Sequence, residues 1–340
     1  MSDEQAPDSD VRRRLLMLAA SFALVSCGGG GSGSSSTPAP PAPTPPAPTP
    51  PTPAPPAPVP TPPAPTPIPN PPPPAPGPAP LKSPKRGVAY DFAALADLQA
   101  LSSGVSWWYN WATRPNSGLP SNAASQVAMD YLPMLWNASY DAPSVEAYIQ
   151  ANANIKYLLV LNEPNLVDQA DMTPAQAAAA WPGYEAVAAA TGAKIVGPAI
   201  TWGTMVNYSD PVVWMDAFIA AYQAANGGRS PQIDYLAFHW YDYGLDAQLD
   251  RLTKYGKPFW VTEMANWHTG DSAVIDTLAK QEAQMTDMVN TCETRADVFR
   301  YAWFTGRQAS DPHFTSLLGA NAGELTGLGQ LYLTLPFTPA

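Results

Sequence analysis

From residue 81 onward, short runs of β-branched, aromatic and aliphatic residues alternate with longer segments whose apolar positions recur every three or four residues. Short continuous apolar runs read as buried strands, and the three-to-four spacing reads as one face of a helix. The pattern predicts strands over 87–90, 105–110, 129–136, 157–162, 194–197, 233–240, 259–262 and 298–303. Between them it predicts helices over 175–190, 211–225 and 272–294, the first opened by Thr173-Pro174 as cap and first-turn proline. Strands that alternate with helices argue for a parallel sheet covered by helices. Eight such strands are what a closed (β/α)8 TIM barrel requires, so the fold class expected for 81–340 is α/β.

The first 80 residues follow no such pattern. Arg12, Arg13 and Arg14 precede an apolar run over 15–25, which is too short to span a bilayer stably and reads as an export signal over 1–26. The run ends in Leu24-Val25-Ser26-Cys27, which resembles a bacterial lipobox and implies cleavage before Cys27 and lipid attachment to its sulfur. The arginines resemble a twin-arginine signal. The chain holds 42 prolines, most of them between Pro38 and Pro80. Residues 27–80 therefore read as a Gly/Ser-rich and then Pro-rich linker. At ~3.1 Å per residue, its polyproline portion could hold the barrel on the order of 130 Å from its anchor.

The formal charge of −11, with no basic run interleaved with aromatics, argues against nucleic acid as a partner. Three histidines, two cysteines and no His-Glu-x-x-His or Cys-x-x-Cys motif leave little material for a metal, and neither metal nor cofactor is expected.

Two carboxyl groups stand out. The fourth predicted strand ends in Asn162-Glu163-Pro164-Asn165, and the seventh ends in Glu263. In barrels of this type reactive groups lie where strands end. A charge at the rim of a packed core costs desolvation unless chemistry rewards it. Glycoside hydrolysis supplies that chemistry, because one carboxyl protonates the leaving oxygen while a second attacks or stabilises the sugar cation.

The motifs Ser106-Trp107-Trp108-Tyr109-Asn110-Trp111, Leu132-Pro133-Met134-Leu135-Trp136, Leu161-Asn162-Glu163-Pro164-Asn165, Ile233-Asp234-Tyr235-Leu236-Ala237-Phe238-His239-Trp240-Tyr241 and Trp260-Val261-Thr262-Glu263 occur in that order. Together they resemble glycoside hydrolase family 128, the Asl1-like glycosyl hydrolase catalytic domain within the retaining barrel clan. The resemblance implies a β-1,3-glucan hydrolase with Glu163 as general acid/base and Glu263 as nucleophile. It also implies that Asn162 holds the sugar 2-hydroxyl. Hydrogen bonds to an ionised Glu263 are expected from Tyr241 or His239, which share one face of the sixth predicted strand.

Sugars offer apolar C–H faces and polar rims, which suit aromatic plates. Trp111, Trp136, Trp202 and Trp303, with Asn110 as a polar partner, are the candidate substrate contacts. The resulting expectation is an endo-acting, retaining hydrolase, with a polysaccharide as substrate and a monomeric barrel. It would be exported and held by its lipid to the outer membrane or cell surface. Two readings stay open beside it: a hydrolase of another β-glycan, and a non-catalytic carbohydrate-binding lipoprotein.

Overall fold

The computed structural model describes residues 82–337. The export signal, the lipidation at Cys27 and the linker lie outside the described residues.

In chain order the elements are β1 (Arg86–Ala89), α1 (Leu95–Leu101), β2 (Trp107–Tyr109), α2 (Ala123–Val127), β3 (Asp130–Tyr131), β4 (Met134–Leu135), α3 (Ala142–Ala151), β5 (Tyr157–Val160) and α4 (Pro174–Thr191). They continue with β6 (Lys194–Ile200), α5 (Pro211–Ala225), β7 (Tyr235–Trp240), α6 (Leu245–Leu252), β8 (Phe259–Met264), α7 (Leu278–Thr294), β9 (Val298–Trp303) and α8 (Gly327–Thr334). All strands pair in parallel, in the order β3-β2-β1-β9-β8-β7-β6-β5-β4.

The two edges of this sheet, β3 and β4, are halves of one predicted strand. Pro133 separates them, because it has no N–H to give to a ladder. Leu132 N still donates to Trp108 O at 3.0 Å, while Pro133 O accepts from Leu159 N at 3.0 Å. The short stretch therefore pairs with β2 on one side and β5 on the other. It closes the sheet into a barrel with eight strand positions.

The helices follow the apolar spacing. On α5 the buried residues Trp214, Met215, Phe218 and Tyr222 form one face. Trp181 of α4 meets Phe218 with ring centroids 4.9 Å apart. Each such large side chain contributes roughly 1.5–3 kcal/mol by leaving water. The α4 helix opens on a capping box between Thr173 and Gln176, with Pro174 in its first turn. The α7 helix starts later than the predicted 272. Its cap is Thr277, whose side chain accepts from Lys280 N. The preceding segment is a loop held by Ala273 N on Asp271 Oδ1 at 2.6 Å and by Ile275 N on His268 O at 3.0 Å. Side chain–backbone bonds of this kind compete with helix formation.

The barrel's start is tied down at the end opposite the site described next. Buried Arg86 donates to Tyr301 and to the carbonyls of Tyr332 and Leu335, and Ser83 donates to buried Glu293 at 2.5 Å. Cys292, free and buried beside Met264, is an apolar core residue whose thiol is pushed up by burial.

Candidate active site

After β5 the backbone turns sharply. Leu161 and Glu163 both adopt positive φ, 56° and 45°, and Asn162 bridges to Ala199 between them. Such conformations cost on the order of 1–3 kcal/mol for a non-glycine residue and persist only where the surroundings enforce them. Here Glu163 N donates to Ala199 O at 2.9 Å, and Pro164 ends the ladder. Gly203 makes room for this turn, since a Cβ there would lie 2.1 Å from Asn165 O.

Glu163 is 1 % exposed. Its Oε1 lies 2.9 Å from His239 Nδ1, while its Oε2, buried, has no hydrogen-bond partner among the described residues. Glu263 projects from within β8 and is equally buried. Its Oε1 accepts from Tyr109 OH and Trp111 Nε1, both at 2.8 Å, and its Oε2 accepts from Tyr241 OH. His239 Nδ1 is also 3.5 Å from Glu263 Oε2, and its Nε2 is 2.8 Å from Thr262 Oγ1. One oxygen of each glutamate and one ring nitrogen of His239 lie within 4.8 Å of one another.

Burial pushes the Glu263 carboxyl above its ordinary range; His239 opposes the rise, nearby Glu163 adds to it, and hydrogen bonds from Tyr241 and Trp111 pull it back. Burial likewise raises Tyr109 and Tyr241 well above the usual phenol value, and the Glu263 charge raises them further. Both therefore remain protonated donors. Three donors converge on Glu263 and none on Glu163 Oε2, so the carboxyl pair has a built-in asymmetry.

Glu163, His239 and Glu263 are also the one group of potential metal ligands among the described residues. The donor set argues against a cation there. Both oxygens of Glu263 already accept from O–H or N–H groups, and His239 Nδ1 is directed at Glu163.

Rings wall the carboxyl pair. Tyr241 stacks on Trp267 at 4.1 Å, and Phe304 meets Trp111, Tyr241 and Trp267 edge-on at 5.8, 5.7 and 5.4 Å. Trp111, with φ 59°, is half-buried and borders Glu263. Trp136 is half-buried just past β4. Trp202 is half-buried too, its indole N–H on Gln248 at 2.9 Å and its face over Arg251 at 4.9 Å. Asn162 donates to Gln169 Oε1 at 3.1 Å, and its buried Oδ1 has no hydrogen-bond partner among the described residues.

Two candidate substrate contacts have other duties. Trp303 is fully buried; its indole nitrogen donates to Thr315 O at 2.8 Å and its ring packs on Tyr332 of α8. Strand alternation turns Trp303 toward the helices and the next residue, Phe304, toward the site. The amide of Asn110 donates to Asp91 at 2.8 Å and to Arg114 O, and its oxygen accepts from Tyr131 OH at 2.7 Å. It braces the loop after β2 and is not directed at the carboxyl pair.

Tyr109, Thr262, Trp267 and Phe304 belong to the site and were not among the sequence candidates. Parity along 107, 109 and 111 could have found Tyr109, because alternate residues share a face. No sequence pattern marks Phe304.

A closed parallel barrel whose mouth holds two buried carboxyl groups between aromatic walls is the apparatus of a glycosidase. Residues 87–332 match the family model for the glycosyl hydrolase catalytic core. A GH128 subgroup II endo-β-1,3-glucanase from Pseudomonas viridiflava is 61 % identical, with a TM-score of 0.75, covering 76 % of this chain and 100 % of that one. A second subgroup II endo-β-1,3-glucanase, from Sorangium cellulosum, is 35 % identical, with a TM-score of 0.63, covering 74 % of this chain and 99 % of that one. Alkali-sensitive linkage protein 1 of Schizosaccharomyces pombe is 25 % identical over 248 residues, which are 69 % of this chain and 41 % of that protein. The chain thus spans less than half the length of that curated relative. It belongs to the glycosyl hydrolase catalytic core family and, within it, to glycoside hydrolase family 128.

Proposed function

We propose that this glycosidase cleaves β-1,3-glucan internally and with retention of anomeric configuration, using Glu163 as general acid/base and Glu263 as nucleophile. The carrying observation is the approach of a Glu163 oxygen and a Glu263 oxygen to within 4.8 Å. Retaining enzymes hold their carboxyl groups ~5–5.5 Å apart, whereas inverting enzymes leave ~6.5–9.5 Å for a water. The two endo-β-1,3-glucanase relatives support the choice of polymer.

In the first half-reaction the Glu163 proton passes to the glycosidic oxygen as its bond to the anomeric carbon breaks, and a Glu263 oxygen bonds to that carbon. In the second, ionised Glu163 takes a proton from water, the water oxygen bonds to the anomeric carbon, and the ester to Glu263 breaks. Tyr109, Trp111 and Tyr241 hold Glu263 ionised and aimed before the attack. Asn162 would meet the 2-hydroxyl of the sugar at the cleavage point, with Trp111, Trp136 and Trp202 as candidate plates along the chain.

Separate Glu163→Gln and Glu263→Gln variants, assayed on laminarin, test the assignment: each is expected to lose turnover, and full activity in both would overturn it. The lipobox-like Leu24-Val25-Ser26-Cys27 supports export and anchoring at Cys27, with the linker giving the barrel reach toward an external polymer. Radiolabelled palmitate incorporated into the wild type but not into Cys27→Ala is the result expected; equal incorporation would refute the anchor.

A further inference from the structure

We infer that Thr262 is a positioning residue that sets the tautomer of His239 and thereby confines the Glu163 proton to Oε2, the oxygen turned away from that ring. The inference rests on the proposed role of Glu163 as acid.

His239 is fully buried, and so is Thr262. Nε2 of His239 lies 2.8 Å from Thr262 Oγ1, and among the described residues this is the only hydrogen-bond partner that hydroxyl has. A buried hydroxyl hydrogen left without an acceptor carries the full desolvation penalty of its group. The hydroxyl therefore donates to Nε2, which must be the unprotonated nitrogen. The single proton of the neutral ring then sits on Nδ1. From there it donates to Glu163 Oε1 at 2.9 Å, with Glu263 Oε2 a longer 3.5 Å away.

The consequence falls on Glu163. Its Oε1 faces an N–H and cannot carry a hydrogen of its own in that direction. The acid proton is left to Oε2, the oxygen with no partner among the described residues. Were the ring in its other tautomer, Glu163 could hold its proton on Oε1, bonded to Nδ1 and so engaged by the ring instead of free for transfer. The Thr262 hydroxyl penalises that state by the cost of its own orphaned hydrogen. The neighbouring strands hold the pair in place: His239 and Glu263 are register partners between β7 and β8, and Thr201 Oγ1 donates to the His239 carbonyl at 3.1 Å.

Thr262→Val keeps the shape and removes the hydroxyl. With laminari-oligosaccharides, whose sugar leaving group needs protonation, kcat is expected to fall about tenfold or more, a part of the ~10²–10⁴ that a placed acid contributes. With a dinitrophenyl β-laminarioside, whose phenolate departs unprotonated, kcat should stay within about threefold of wild type, as expected for a defect in acid catalysis alone. Thr262→Ser, which keeps the hydroxyl, should recover the natural-substrate rate.

Nitrogen NMR of histidine-labelled protein provides a readout independent of turnover. It should find His239 protonated at Nδ1 in the wild type and redistributed toward Nε2 in Thr262→Val. Equal losses on both substrates, no loss on either, failure of Thr262→Ser to restore activity, or a wild-type ring protonated at Nε2 would each overturn the inference. The assignment of Glu163 itself would be refuted separately, by an active Glu163→Gln.

Discussion

Trp111 and Glu263 are 152 residues apart in the chain, yet the indole N–H of one donates to a carboxylate oxygen of the other at 2.8 Å. Trp111 reaches that position from a left-handed backbone conformation just past β2, with φ 59°. An aromatic residue that looks like a sugar platform is thus also part of the hydrogen-bonded support of Glu263, the proposed nucleophile.

Replacing Trp111 by Phe keeps a ring against Phe304 and removes the donor. A hydrogen bond to a charged group is worth about 1.5–3 kcal/mol, so kcat/KM on laminari-oligosaccharides should fall roughly 10- to 150-fold. Steady-state kinetics would check this, and a change confined to KM would show that the ring serves binding alone.

The acid limb of the pH profile should reflect Glu263. As the proposed nucleophile its carboxyl must be ionised, and burial holds its pKa above the ordinary 4.5. Activity is therefore lost as pH falls through a value higher than that of a free glutamate. Tyr241→Phe removes one of the bonds that pull the value down, so the limb should move to higher pH. A limb that stays in place would show that Tyr241 does not support the ionised form.

Trp202 and Trp303 look alike in the sequence and should behave oppositely. Trp303 is fully buried against Tyr332, so Trp303→Ala should cost about 3–5 kcal/mol of stability in denaturant unfolding. Trp202 is half-buried beside Gln248 and Arg251 and is the proposed substrate plate of the two. Trp202→Ala should leave the unfolding midpoint nearly unchanged and raise KM more for long oligosaccharides than for short ones.

Gly203 gives a test of the turn that carries Glu163. An added Cβ would meet Asn165 O at 2.1 Å, so Gly203→Ala must displace the segment next to Glu163, the proposed acid. Turnover should drop at least tenfold while the protein stays folded, because small displacements of a catalytic group have large effects on rate. Circular dichroism alongside kinetics would separate this from unfolding.

The barrel was legible because its strands are continuous apolar runs and its helices carry a clean three-to-four spacing. The α5 helix, Pro211–Ala225, begins and ends where the spacing predicts. The remaining features follow from local events that periodicity does not encode. Pro133 splits one strand into β3 and β4, and the Asp271 side chain caps a loop where the apolar pattern suggests helix. The two glutamates stood out as charges at the ends of apolar runs. Their surroundings did not, because Tyr109, Trp267 and Phe304 come from β2, from the loop after β8 and from just past β9, and only closure of the barrel brings them together. Trp303 and Phe304 show the limit most clearly: adjacent aromatic residues point to opposite sides, and composition cannot say which faces the site.

The separation of the two carboxyl groups carries the whole account, and the stereochemistry of the first product tests it directly. Proton NMR of laminari-oligosaccharide hydrolysis, recorded before mutarotation, should find the new reducing end as the β-anomer. First appearance of the α-anomer would contradict a covalent intermediate on Glu263 and require a water between the two groups.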